Sequence, residues 1–123
     1  NPGTIQFIAY NGNSGGNGYG LYLNQNNHLS IQVGGKALLG SSTTLIPGTW
    51  THVAAVRESG TWKIYVSGSA VTLSGAITTA PNGPSDRTTV GALDLTGTQS
   101  FFGLIDDARV YDKALTASEI GVF

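Results

Sequence analysis

Short runs of β-branched and aromatic residues alternate along the chain with turns rich in Gly, Asn, Pro and Ser. Such runs at close spacing, without a sustained helical period, predict an antiparallel all-β sandwich or barrel. The predicted strands are Ile5 to Tyr10, Tyr19 to Leu23, Leu29 to Val33, Thr51 to Arg57, Trp62 to Val66, Thr88 to Gly91 and Phe102 to Tyr111. A further short strand is predicted near Val71 to Leu73.

The residues between these runs predict where the chain turns. Glycines supply positive φ and asparagines tolerate it, so residues 11–18 are expected to form a loop. A hairpin connection is predicted at residues 58–61, a tight turn at Ser67-Gly68 and a third loop at residues 81–86. Thr116 and Glu119 match a capping box, which predicts one short C-terminal helical turn.

Length and charge exclude several classes of function. A chain of 123 residues has the size of one domain. Only 11% of its residues are charged, its net charge is −1, and it has no basic cluster to neutralise phosphates. Apolar runs such as Val53 to Val56 are far shorter than the roughly 20 residues that cross a bilayer. We therefore expect no nucleic-acid partner and no membrane insertion.

Two residue types are absent from the chain. Without Cys it can form neither disulfides nor a thiolate metal site. It also lacks Met and begins Asn1-Pro2-Gly3, which predicts a processed chain or part of a longer protein. Because heavy use of Gly, Ser, Thr and Asn is typical of exported proteins, we expect an extracellular, cell-surface or virion location.

Two segments resemble a known family. Residues Gly48 to Arg57, followed by Trp62 to Gly68, look like the central hairpin of laminin-G-like, concanavalin-A-like domains. Phe102 to Leu115, with Ser118-Glu119-Ile120 behind it, resembles the last strand and trailing turn of that family. The resemblance covers most of the chain from Ile5 onward, and it implies a single antiparallel jelly-roll β-sandwich of the lectin-glucanase type.

The resemblance also implies a gap at the front of the domain. Members of the family usually begin with further strands, one of which pairs with the final strand, and we interpret this sequence as starting after them. The alternative is that its early strands are divergent. A final strand without a partner exposes backbone groups that invite an added strand. We therefore expect completion by the rest of its own protein or by identical subunits.

Catalytic residues are not predicted. Alternation along a strand places Asp106 and Asp107 on opposite faces, whereas glycoside hydrolysis needs two carboxyl groups facing each other roughly 5 to 9.5 Å apart. The Glu-x-Asp-x-x-Glu strand of related glucanases is also missing. His52 shares its predicted face with apolar residues, so a structural role is favoured over a catalytic one.

The two acids receive different interpretations. By resemblance, Asp106 is the candidate ligand for calcium, which takes six to eight oxygen ligands. The alternative is a hydrogen bond between its carboxylate and the backbone of a neighbouring loop. For Asp107 a surface ion pair is predicted. Its candidate partners are Arg109, Arg57 and Lys63.

The N-terminal half is neutral and polar, because Lys36 is the only charged residue between Asn1 and Val56. Sugars are bound by amides, hydroxyls and aromatic faces, which predicts a glycan site around the glycine-rich loop. The candidate ligand-binding residues are Tyr10, Asn11, Asn13, Asn17 and Tyr19. The alternatives are that the loop is only a turn, or that this surface packs against identical subunits.

These observations favour a non-catalytic carbohydrate-binding or adhesion module of an extracellular or surface protein, with a glycan or glycosylated surface as its partner. The alternative is a structural subunit of a fibre, sheath or virion built from sandwich domains. A more remote alternative is a glycosidase fragment with its catalytic strands elsewhere.

Overall fold

The computed structural model describes residues 3–84 and 87–123, and it consists of two antiparallel sheets and one short helix. The elements are β1 Gln6–Asn11, β2 Tyr19–Leu23, β3 His28–Val33, β4 Ala37–Thr44, β5 Val53–Glu58, β6 Thr61–Val66, β7 Ser69–Ala70, β8 Thr88–Val90 and α1 Ala117–Ile120. The larger sheet has the order β4-β3-β2-β1-β8, and the smaller has the order β5-β6-β7.

The main core lies between the two sheets. Alternate residues of β2 and β3 point inward from the larger sheet, and Trp62 and Ile64 point inward from β6. The buried cluster comprises Leu21, Leu23, Leu29, Ile31, Val33, Leu39, Trp62, Ile64 and Ile77. The chain is an all-β antiparallel jelly-roll sandwich, as the sequence predicts.

A second, smaller core lies on the other face of the larger sheet. The pairing of β1 with β2 shifts register between Phe7 and Ala9, and this irregularity brings Phe7 and Tyr10 to the same face although they are three residues apart. Their rings form one buried cluster with Tyr22, in which Phe7 stacks on Tyr22 at 5.1 Å between centroids. Ile5 and Leu93 pack against this cluster, so the outer face is partly covered.

The smaller sheet is built from hairpins with two-residue turns. Ser59 and Gly60 both have positive φ between β5 and β6, and Ser67 and Gly68 do the same between β6 and β7. Two successive positive φ values match the twist of the flanking strands, so these turns suit antiparallel hairpins. Both turns were predicted, and both are confirmed.

The predicted capping box is present at α1. The Thr116 hydroxyl accepts a hydrogen bond from the Glu119 N–H, and the Glu119 carboxylate accepts one from the Thr116 N–H. Ile120 from this helix is buried against Val56 and Tyr65 on the outer face of the smaller sheet. Within the described ranges, no helix has the length and apolar character needed to cross a membrane.

Most predicted strands are confirmed to within two residues, but β4 was missed. Its sequence is ALLGSSTT, which is poor in the β-branched and aromatic residues that mark strands. Tertiary pairing with β3 forms this strand, and Leu39 anchors it in the core. The weak strand predicted at Val71 to Leu73 is displaced to β7, and Leu73 forms only an isolated bridge with Ser41.

The predicted strand from Phe102 to Tyr111 is wrong. This segment pairs with no strand in the described part of the chain, and the Leu104 and Val110 side chains are 80% and 77% exposed. Asp107 has a φ of 53°, which breaks the alternation of faces assumed for an extended strand. A strand needs a hydrogen-bonding partner, and residues 3–84 and 87–123 provide none for this segment.

Candidate functional site

One aromatic residue of the predicted glycan site at the glycine-rich loop, Tyr10, is buried in the protein interior. Tyr10 is only 1% exposed, and its hydroxyl donates a hydrogen bond to the Asn17 carbonyl at 3.0 Å. Burial raises the pKa of Tyr10 to about 12. Tyr10 is therefore a buried residue of the outer core, and its role in ligand binding stays a prediction.

Tyr19 lies on the opposite side of the sheet. Register pairs Tyr10 with Gly20, so the adjacent Tyr19 points to the other face. Its ring packs on Trp62 at 5.2 Å between centroids, against the main core. Tyr10 and Tyr19 therefore do not share one binding surface.

The three asparagine side chains of the predicted site hold the loop together. The Asn11 amide donates to the Thr88 hydroxyl at 2.6 Å. The Asn13 Oδ1 accepts from the Gly15 N–H, and the Asn17 Oδ1 accepts from the Asn13 N–H at 2.7 Å. Since these groups are engaged within the protein, the structure favours a supporting role for the loop.

Asp106 is exposed rather than set among buried apolar neighbours. Its carboxylate accepts a hydrogen bond from the adjacent Asp107 N–H at 2.8 Å. Calcium needs six to eight oxygen ligands, and the described residues bring no three His, Cys, Asp or Glu side chains together as a metal site. Calcium binding at Asp106 stays a prediction, which thermal unfolding with and without a chelator would test.

The ion pair predicted for Asp107 is confirmed. The Arg109 guanidinium donates to both carboxylate oxygens of Asp107, each at 2.8 Å, and lies 4.9 Å from the Phe123 ring centroid. His52 stacks on the same Phe123 ring at 5.3 Å between centroids. Lys63, another candidate partner, instead pairs with Glu58 at 3.1 Å.

A groove on the outer side of the larger sheet was missed by the sequence analysis. It consists of a cavity of about 180 Å³ beside a cavity of about 590 Å³, which share Ile5 and Gln99 as lining residues. The smaller cavity is also lined by Phe7, Ser14, Tyr22, Gln32, Leu38 and Leu93. The larger cavity is also lined by Gly3, Thr4, Gln25, Gly97, Ser100 and Phe102. We call this surface the Gln99 groove.

Gln99 occupies the centre of the Gln99 groove in a strained conformation. Its φ is 51°, in the left-handed region that side chains disfavour. Its carbonyl accepts a hydrogen bond from the Phe7 N–H at 2.9 Å, which ties it to β1. The Gln99 side-chain amide has no hydrogen-bond partner within residues 3–84 and 87–123. It is available to donate to and accept from a ligand.

The turn before Gln99 is fixed by Asp94. Its Oδ1 accepts hydrogen bonds from the Thr96 hydroxyl at 2.7 Å, the Thr96 N–H at 3.0 Å and the Thr98 N–H at 3.1 Å. These hydrogen bonds, led by the Thr96 side chain, lower the pKa of Asp94 to about 2. The spacing of an Asp before Thr and Gly is a turn signal in the sequence, but it does not reveal what the turn presents.

Phe102 also lines the larger cavity. Its ring is 66% exposed, while its N–H donates to the Oε1 of the buried Gln6 at 3.0 Å. The backbone under this exposed ring is therefore held by the core. Together with Gln99, Phe102 offers an aromatic face and an amide to a polar ligand, and no described lining residue is charged.

The chain is similar to a solved structure of an S-layer domain-containing protein from Clostridium thermocellum ATCC 27405, with 22% sequence identity and a TM-score of 0.45. That similarity covers 99% of this chain and 63% of the solved chain, so this chain spans less than two thirds of its length. No curated protein matches the chain significantly.

The family comparison is more extensive. Residues 1–121 match the family described as the concanavalin A-like lectin/glucanases superfamily. This match includes both sheets, the Gln99 groove and the capped helix α1. The chain therefore belongs to the concanavalin A-like lectin/glucanases superfamily.

Proposed function

We propose that this chain is a non-catalytic carbohydrate-binding or adhesion module of an extracellular or surface protein. The observation that carries the proposal is the Gln99 groove, whose larger cavity is lined by the Gln99 amide and the exposed Phe102, with no charge among its described lining residues. Aromatic faces stack on sugar rings, and amides donate to and accept from sugar hydroxyls. Membership of a superfamily whose description includes lectins is consistent with this function.

The positions of the carboxylates support the non-catalytic part of the proposal. Asp94 holds its own turn, Asp107 is paired with Arg109, and Glu119 caps α1. Glu58 is paired with Lys63 on the smaller sheet. None of these carboxylates lines the Gln99 groove, whereas glycoside hydrolysis requires two across the substrate.

A glycan array followed by calorimetry tests carbohydrate binding. We expect the wild-type chain to bind at least one glycan and Gln99→Ala to weaken that binding several-fold to roughly tenfold, because a hydrogen bond contributes about 0.5–1.5 kcal/mol. Leu95→Ala is the matched control, since Leu95 is exposed on the same segment but lies outside the Gln99 groove. Absence of binding to every glycan on the array would contradict the proposal.

A second candidate function is that of a structural subunit in a surface assembly. The observation that favours it is the segment 102–115, which has no strand partner in the described residues and exposes Leu104 and Val110. Such a segment invites pairing with a strand of a neighbouring subunit. Regular filaments or sheets in electron micrographs, together with an array on which nothing binds, would favour this function over carbohydrate binding.

A further inference from the structure

The two cavities of the Gln99 groove share two lining residues, Ile5 and Gln99. Their other lining residues differ. The larger cavity alone lies within the roughly 300–1,000 Å³ typical of ligand clefts. A ligand with one ring in each cavity would therefore lie beside Ile5 and Gln99, the residues that both cavities share.

Each cavity provides different chemistry. The larger one provides the exposed Phe102 ring, a surface on which one sugar ring can stack. The smaller one provides Gln32, whose Nε2 donates to the Ser14 carbonyl at 3.2 Å and whose Oε1 remains available to accept. Gln99 lies between them with both its donor and its acceptor free, as a bridge between two adjacent sugar units requires.

The charge of the groove limits the ligand further. Among the described residues that line the groove, none is charged. The acid closest in sequence to Gln99 is Asp94, whose carboxylate is occupied by Thr96 and Thr98. Lys36 comes after strand β3 in the sequence, and its ammonium donates a hydrogen bond to the Ala80 carbonyl at 2.8 Å. A sulfate or carboxylate placed in the groove would lose water without gaining a cationic partner there.

We infer that the Gln99 groove binds a neutral oligosaccharide of at least two sugar units, with one unit stacked on Phe102 and the next beside Gln32. This inference rests on the proposed carbohydrate-binding function, and it names the class of glycan and the length that the groove takes. We do not expect uronic-acid, sialylated or sulfated glycans as preferred ligands, since the lining residues within 3–84 and 87–123 offer no cation to them.

The test is an array that carries matched neutral, sulfated and uronic-acid glycans of one to six units, followed by calorimetry on the neutral series. We expect neutral glycans of two or more units to bind roughly tenfold or more tightly than the monosaccharide and than the anionic glycans of equal length. The affinity for the neutral series should also be independent of NaCl concentration, because no ion pair forms.

Two variants test whether the Phe102 side of the groove contributes to binding of the second sugar unit. Phe102→Ala should remove the gain in affinity between one and two units, while Phe123→Ala, which truncates an exposed aromatic ring outside the groove, should leave it unchanged. Preferential binding of sulfated or uronic-acid glycans, or equal affinity for one and two units, would overturn this inference and leave carbohydrate binding intact. Failure of every glycan to bind would instead overturn the proposed function itself.

Discussion

Gln99 is the residue at which local backbone strain and the candidate ligand site coincide. Its left-handed conformation is held on one side by the hydrogen bond from Phe7 and on the other by the turn that Asp94 organises. A non-glycine residue in this region costs roughly 1–2 kcal/mol, and such strain is common at binding sites. The surrounding structure therefore maintains a costly conformation that presents an amide to the groove.

Gln99→Gly tests separately the cost of the strained backbone to stability and the contribution of the side-chain amide to binding. Glycine adopts positive φ without steric cost, so we expect the free energy of unfolding to rise by up to about 1 kcal/mol in urea denaturation. Glycan binding should weaken as it does for Gln99→Ala, because both variants lack the amide. Ser59→Gly, at a φ of 48° in the β5–β6 hairpin, is the control that should stabilise without changing binding. A destabilised Gln99→Gly would contradict this account.

The Asp94 carboxylate gives the turn a dependence on pH. Its pKa in the folded protein is lowered from 3.8 to about 2, so its contribution to stability is present above pH 3.8 and is lost as the pH falls through about 2. Asp94→Asn should therefore have a lower melting temperature than wild type at pH 5, and the difference should shrink towards pH 2. Asp112→Asn, at an exposed acid in another segment, is the control. A difference that stays constant across this range would count against the assigned role.

At the scale of elements, the strands that the sequence predicts correctly are those whose apolar period and turn chemistry agree. β2 and β6 have alternating large apolar residues and glycine-containing turns beside them, so local signals were sufficient. β4 and the segment 102–111 show the opposite case. β4 has a weak sequence pattern for a strand, yet it forms one because it pairs with β3. Residues 102–111 have a strong pattern, yet they form no strand because no strand among the described residues pairs with them.

From the sequence, only the polar, uncharged character of the candidate site could be predicted, and not its location. The neutral, amide-rich N-terminal half was predicted to carry the ligand site, but the asparagines identified there hold the loop, and Gln99 and Phe102 lie outside that half. The Gln99 groove joins Ile5, Gln32 and Gln99, which are far apart along the chain. Sheet pairing and the register irregularity in β1 bring them together, and single-sequence periodicity carries no information about that contact.

Two contributions stabilise the short helix α1: the capping hydrogen bonds of Thr116 and Glu119, and the burial of Ile120. Thr116→Ala should lower the free energy of unfolding by about 1 kcal/mol, because it removes the hydroxyl that accepts from the Glu119 N–H. Ile120→Ala should lower it by about 2–5 kcal/mol, because it leaves a cavity against Val56 and Tyr65. Ser118→Ala, exposed on the same turn, is the control for helix propensity. Urea denaturation measures all three, and a larger loss at Thr116 than at Ile120 would contradict this division.

At the scale of the whole molecule, the exposed apolar residues are concentrated on the segments that belong to neither sheet. Those of the C-terminal part are Phe102, Leu104, Val110, Tyr111, Val122 and Phe123. Trp50, before β5, is exposed as well. Several exposed apolar side chains on one stretch of chain favour association, and a net charge of −1 provides little repulsion between copies. The predicted completion of the fold by an added strand can therefore be tested at the exposed apolar residues of the C-terminal part.

The double variant Leu104→Asp/Val110→Asp tests whether identical chains supply that strand. If they do, light scattering on the purified wild-type chain should show a mass that increases with concentration, and the double variant should remain monomeric because it places charge in the contact. The control is Leu95→Asp, at a residue that is 70% exposed in a different segment, which should associate as the wild type does. Because neither Leu104 nor Val110 lines the Gln99 groove, glycan binding should be the same in the double variant and the wild type. A monodisperse wild-type monomer at every concentration would rule out completion by identical subunits and leave the rest of the chain's own protein as the predicted partner.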